Sequence, residues 1–222
     1  MPPRKPLLPL EPVPGLVGIY RARRGAAAMA AFALREGGLA IYSPVTGLTP
    51  ETIARMENLG GVRALIAPSH FHHLGLKEYL ETFPDASLFA PEAGHARLHK
   101  QTGLSFNDVA ALSTALYDGV EFHLPPGLKA QEVWVQARHA EQSVLAVCDA
   151  FGAPAKEDGL PPSEASTRGA FKTMCLKDAD LYRSWAMEYF AQINITHLLP
   201  CHGARVTGPG LSQHLMTSLE DL

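Results

Sequence analysis

Three imidazoles within four positions, His70, His72 and His73, follow the apolar run Ala64-Leu65-Ile66-Ala67 and a Pro68-Ser69 step. In an extended segment residues two apart point the same way, so His70 and His72 can share a side. His73, at the entry to the next helix, can turn to a neighbouring direction. Further along, His139, Asp149 and His202 each stand at the end of a predicted strand. Neutral imidazoles and a carboxylate suit zinc, iron or manganese. Donors carried on several strand ends of a rigid sheet hold their geometry better than donors on free loops.

These six residues are expected to be the metal ligands. The remaining five of the ten histidines are not. His95 and His99 are four apart on a predicted helix with no acid nearby, the pattern of a solvated face. His123, His197 and His214 have no supporting neighbours. Cys148, adjoining Asp149 on a strand, is expected to point to the opposite face and into the core. Cys201, beside His202, reads as packing, with a thiol that supports the neighbouring ligand or a reactive group as its functional alternative. Lys156, Arg168 and Lys172 read as solvated cations, with an anionic substrate group as their functional alternative.

The elements that must position these residues are legible in outline. The first fifteen residues contain six prolines and read as an extended arm that does not form a helix. An Ala-rich run at 26–34, the turn Glu36-Gly37-Gly38 and a second run at 39–42 read as a hairpin. Thr49-Pro50-Glu51 is a capped helix start that Gly60-Gly61 stops. A strand at 63–67 runs into the histidine cluster, followed by a helix at 75–82, a strand at 87–90 and a helix at 91–100. In the second half strands are expected near 120–124, 132–137, 143–147 and 196–199. A polar loop at 152–169 precedes an amphipathic helix at about 178–192, and a last helix begins near Gly210. Two halves, each mixing strands with helices, imply a layered α/β fold.

Composition narrows the function. The chain has 222 residues, 46% hydrophobic and 18% charged, which is globular. A formal charge of −3 leaves no basic excess for a phosphate backbone, so nucleic acid is excluded as the default partner. No apolar run is long enough for a membrane span or a signal segment. Three cysteines without framework spacing fit a reducing compartment, so a cytoplasmic location and no disulfide are expected. The expected partner is a small-molecule substrate, and a homo-oligomer is compatible with the sequence.

In this order the motifs resemble those of the metallo-β-lactamase fold superfamily. Ala67-Pro68-Ser69-His70-Phe71-His72-His73-Leu74-Gly75 is similar to its His-x-His-x-Asp-His motif. Arg138-His139-Ala140-Glu141-Gln142 is similar to its Gly-His-Thr motif, Cys148-Asp149-Ala150 to its strand-end aspartate, and Pro200-Cys201-His202-Gly203 to its final His-Gly. The resemblance runs over about residues 16–205. It is strongest to a branch with an altered first metal motif, a Tyr-Ser-Pro strand end and a Phe-Pro-Asp-Ala segment. Pro68 falls where the first histidine belongs and His72 where the aspartate belongs.

The resemblance implies a four-layer αββα sandwich over residues 16–222, preceded by the arm at 1–15. It implies metal ligands His70, His72, His73, His139, Asp149 and His202, with Asp149 as the bridging, catalytic one. Replacing the motif aspartate by His72 removes a negative charge, so one zinc ion is favoured over two, with iron or manganese as alternatives. The implied activity is hydrolysis of a small ester, thioester, lactone or phosphodiester by metal-bound water. The alternative is a non-catalytic metal-binding domain of the same fold with a structural or sensing role.

Overall fold

The computed structural model describes residues 6–129 and 131–222. The chain divides into two compact units, Met1–Asp118 and Gly119–Leu222, each with its own apolar core. Of the expected proline-rich arm, residues 1–5 lie outside the described residues. The remainder is non-helical, buries Leu7 and Leu10, and is tied down by bonds from Leu7 N–H to the Gly47 carbonyl and from Leu8 N–H to the Arg23 carbonyl.

The N-terminal unit is one seven-stranded sheet in which spatial order follows chain order. Its strands are β1 (Glu11–Pro12), β2 (Ile19–Arg24), β3 (Ala27–Ala33), β4 (Leu39–Tyr42), β5 (Val62–Ile66), β6 (Ser87–Ala90) and β7 (Asn107–Asp108). Strands β1 to β4 pair antiparallel and β4 to β7 parallel. Parallel neighbours need long crossovers. Here α1 (Pro50–Asn58), α2 (Leu76–Thr82) and α3 (His95–Thr102) lie in them.

The predicted hairpin is β3–β4, and its turn requires glycine, since Gly37 and Gly38 have φ of 90° and 86°. Helix α1 starts as its sequence implies: the Thr49 hydroxyl accepts from Thr52 N–H at 3.2 Å and Pro50 opens the first turn. Strand β2 escaped the sequence reading because its alternate positions are arginines. One of them, Arg21, is buried.

The C-terminal unit contains β8 (Val120–His123), β9 (Trp134–His139), β10 (Gln142–Val147), β11 (Phe151–Gly152), β12 (Ser166–Thr167), β13 (His197–Pro200) and β14 (Val206–Thr207). Five of these form a sheet in the order β14-β13-β10-β9-β8, with β10 and β13 parallel and the other pairs antiparallel. The short β11–β12 ladder organises the two ends of the stretch expected to be a free loop. Helices α4 (Gly169–Met174), α5 (Ala179–Gln192) and α6 (Leu211–Leu219) complete the unit.

Helix α5 is capped by Asp178, whose carboxylate accepts from Leu181 N–H at 3.0 Å. The core gathers around Trp134, whose ring meets Phe151, Tyr182, Trp185, Tyr189 and Phe190 at centroid distances of 5.4 to 6.3 Å. No described helix is long and apolar enough to cross a membrane.

Candidate metal centre

In the N-terminal unit the histidine cluster forms the turn between β5 and α2. Its backbone is folded back by His72 N–H donating to the Ser69 carbonyl at 3.1 Å and Phe71 N–H donating to Ser69 Oγ at 3.3 Å. Two features seat this turn against the end of β4. A Cβ on Gly75 would come within 2.2 Å of the Pro44 carbonyl oxygen, so the close approach admits only glycine. Ser43, at φ 59°, is one of two non-glycine residues with positive φ among those described. Its Oγ shares a 2.7 Å hydrogen bond with His72 Nδ1.

His73 Nδ1 donates to the His70 carbonyl oxygen at 2.9 Å. A carbonyl can only accept, so this bond puts a proton on Nδ1 and makes Nε2 the nitrogen that carries the lone pair in the neutral ring, the tautomer a metal ligand needs. His70 is buried, with its ring 3.9 Å from that of Phe71.

In the C-terminal unit the geometry follows from one register. Strands β10 and β13 run parallel and Val147 pairs with Pro200. The two dipeptides that follow, Cys148-Asp149 and Cys201-His202, therefore leave adjacent strand ends side by side. The bond from Cys201 N–H to the Val147 carbonyl continues the ladder to this point. His202 Nε2 lies 3.1 Å from Asp149 Oδ1. The same oxygen accepts from Arg168 Nη1 at 2.7 Å. Arg168 arrives there because it directly follows β12, and its side-chain stem crosses Gly152, where a Cβ would meet it at 2.9 Å.

The turn that carries Asp149 is held by a residue the sequence reading did not single out. Glu132, buried, accepts from the backbone N–H groups of Cys148 and Asp149 at 3.0 Å each and of Ala150 at 3.4 Å. It also accepts from Trp134 Nε1 at 3.0 Å. Burial, and next the charge of Asp149, push its carboxyl up to about 7 despite the backbone donors. The available signal was an isolated acid opening the apolar run Val133-Trp134-Val135. A charge so placed must be buried with partners.

Other expectations are corrected. His139 pairs with Gln142 at the turn end of the β9–β10 hairpin, whereas Asp149 follows the opposite end of β10. The two are separated by roughly 20 Å of strand, and His139 is exposed. The structure does not bring it to Asp149 and His202.

Cys148 does not point away from Asp149. The strand ends at Val147, the alternation ends with it, and Cys148 Sγ lies 3.5 Å from Asp149 Oδ2. Arg168 is not a free solvated cation but the partner of Asp149. His95 and His99 bond the carbonyls of Ala90 and Leu104. Two cavities on the N-terminal unit, of about 420 and 220 Å³, are lined by none of the motif histidines.

Comparison with solved structures decides the architecture. A metallo-β-lactamase from Erythrobacter litoralis aligns over 95% of this chain and 96% of its own, with a TM-score of 0.66 and 13% identity. One from Pontibacter korlensis aligns over 96% and 100%, with a TM-score of 0.62 and 14% identity. The metallo-β-lactamase FIM-1 from Pseudomonas aeruginosa, in its mono-zinc form, aligns over 99% and 97%, with a TM-score of 0.61 and 12% identity.

The chain has the metallo-β-lactamase fold. At 12–14% identity the likeness is one of fold. No family model and no curated protein matches the sequence. The metallo-β-lactamase fold is the class that the order of motifs implied. On this fold Asp149 and His202 follow two neighbouring parallel strands, and His70, His72 and His73 form one strand-to-helix turn.

Proposed function

We propose that the chain is a metal-dependent hydrolase of a small ester, thioester, lactone or phosphodiester. The observation that carries this reading is the Asp149–His202 pair, a carboxylate and an imidazole 3.1 Å apart at neighbouring strand ends of a metallo-β-lactamase fold. Two such donors, nearly in contact, fit a divalent cation, which carboxylate oxygen and imidazole nitrogen bind at about 2.0–2.2 Å. The proposed donors are Asp149 and His202 on the C-terminal unit and, on the sequence resemblance, His70, His72 and His73. Zinc is the ion proposed, in keeping with the mono-zinc form of one neighbour.

A bound divalent ion supplies Lewis acidity and brings the pKa of a coordinated water down to about 7. The chain's own residues do the positioning. Glu132 holds the backbone on both sides of Asp149 and so fixes where its carboxylate starts. Arg168 takes up one lone pair of Asp149 Oδ1 and holds the carboxylate in one orientation. The Nδ1 bond of His73 to the His70 carbonyl sets the tautomer in which Nε2 can donate.

The test pairs elemental analysis with turnover. Protein stripped by chelator and reloaded with zinc is expected to hold ions at fixed stoichiometry and to cleave at least one activated member of the four substrate classes. His202→Ala is expected to lower that rate more than ~100-fold. Stoichiometric metal uptake without turnover across esters, thioesters, lactones and phosphodiesters would overturn the reading.

A further inference from the structure

The thiols of the C-terminal unit are placed as a second pair beside the first. Because Val147 and Pro200 are register partners on parallel strands, the next residues, Cys148 and Cys201, come off the two strands together. Neighbouring strands lie about 4.8 Å apart. The sulfurs of Cys148 and Cys201 lie within 4.8 Å of each other, Cys148 Sγ lies 3.5 Å from Asp149 Oδ2, and Asp149 Oδ1 lies 3.1 Å from His202 Nε2. Four side chains able to ligate a metal thus form one continuous chain of contacts, Cys201, Cys148, Asp149 and His202, on a turn that Glu132 clamps.

We propose that Cys148 and Cys201 are themselves metal ligands, two sulfurs added to the carboxylate and imidazole donors that these strand ends already carry.

Charge supports this as well as position. With a histidine at position 72, the donor set implied by the sequence contains one carboxylate, a shortage of negative charge for a divalent cation. Two thiolates remove the shortage, each thiol losing one proton to solvent as its sulfur–metal bond forms. Arg168 sits on Asp149 Oδ1, and the other oxygen, Oδ2, is the one beside Cys148. A site with two soft sulfur donors selects zinc over manganese, magnesium or calcium, because thiolate stabilises a borderline-soft cation far more than a hard one. The inference rests on the metal-dependent reading above, and it adds ligands and a metal preference to it.

The experiment adds cobalt(II) or zinc(II) alone to the full chain and reads the metal–sulfur bonds directly. One equivalent of cobalt is expected to give near-ultraviolet thiolate-to-cobalt absorption. This should be about halved in Cys148→Ser and in Cys201→Ser, absent in the double variant, and unchanged in Cys175→Ser. X-ray absorption on zinc-loaded wild-type protein, which needs no variant to fold, is expected to show a sulfur shell near ~2.3 Å.

Bound cobalt without that absorption, or bound zinc with only nitrogen and oxygen neighbours, would overturn the proposal. Turnover by a zinc protein lacking a sulfur shell would overturn thiolate ligation and leave the hydrolase reading standing. A sulfur shell without turnover would do the reverse, and a chain that takes up neither ion would overturn both.

Discussion

The two units present their candidate ligands by different physical means. In the N-terminal unit the His70–His73 turn is held by backbone sterics: a glycine that admits no side chain against Pro44, and a serine held at positive φ that reaches His72. In the C-terminal unit the Asp149 and His202 turns are held by ladder register and by a buried charge, with Glu132 bonded to three successive backbone amides. Steric seating is insensitive to solution conditions. A clamp made of a buried carboxylate depends on that group's ionisation, so one turn is seated by sterics alone and the other by a clamp that pH can loosen.

The largest effect is expected where the C-terminal unit also uses steric seating. A Cβ on Gly203, which has φ +98°, would lie 1.7 Å from the Ala153 carbonyl oxygen, a backbone atom with no room to retreat. Gly203→Ala is expected to cost more than ~4 kcal/mol, the range reserved for a named structural failure, measured as loss of the cooperative urea transition. A variant within 1 kcal/mol of wild type would break the claim that His202 is seated this tightly.

Next in size is the pH dependence of the clamp. The folded-state pKa of Glu132 is raised from 4.5 to about 7. Its contribution to stability is therefore fully present below about pH 4.5 and lost as pH rises through 7, amounting to about 3 kcal/mol at most. His123 and His197, both lowered mainly by burial, act in the opposite sense. Their contribution is present above pH 6.5 and lost as pH falls below it. The diagnostic quantity is thus the difference between wild type and Glu132→Gln, followed by urea unfolding of metal-free protein from pH 4.5 to 8. Wild type should lose stability relative to the variant as pH rises. A pH-independent difference would sink the assignment.

A smaller effect belongs to Ser43. Ser43→Ala keeps the unfavourable φ and removes the bond to His72, costing ~1 kcal/mol. Ser43→Gly removes the same bond but relieves the backbone, so the two changes offset within about 1 kcal/mol. Thermal melts that rank the alanine variant above the glycine variant would contradict the strain argument. The smallest effect is at His139, for which alanine should leave metal stoichiometry and affinity unchanged by isothermal titration.

Much of the architecture was legible because it is written in local chemistry. Thr49-Pro50 marks the start of α1, Gly37-Gly38 the β3–β4 turn, and Asp178 the start of α5. His139 was placed by the order of the motifs, which does not say at which end of a hairpin a residue lies. The β9–β10 turn is Ala140-Glu141, with Ala140 at φ 50°, and contains none of the glycine or asparagine that announces a two-residue hairpin. His139 was expected at the end of a strand near the site. It stands at the far end of a hairpin instead.

By itself the sequence determined the donor types, their order, the strand or turn on which each stands, and hence the fold class. Hydrophobic runs, caps and turn residues act over a few positions and can be read there. Tertiary structure alone decided which donors meet. The parallel pairing of β10 with β13 joins residues more than fifty positions apart, bringing Cys148-Asp149 to Cys201-His202, and the β11–β12 ladder brings Arg168 to Asp149. Hairpin register sent His139 away, and burial made Glu132 a clamp. Each of these depends on register between distant segments and on the cost of burying charge, and neither is a property of any short stretch of chain.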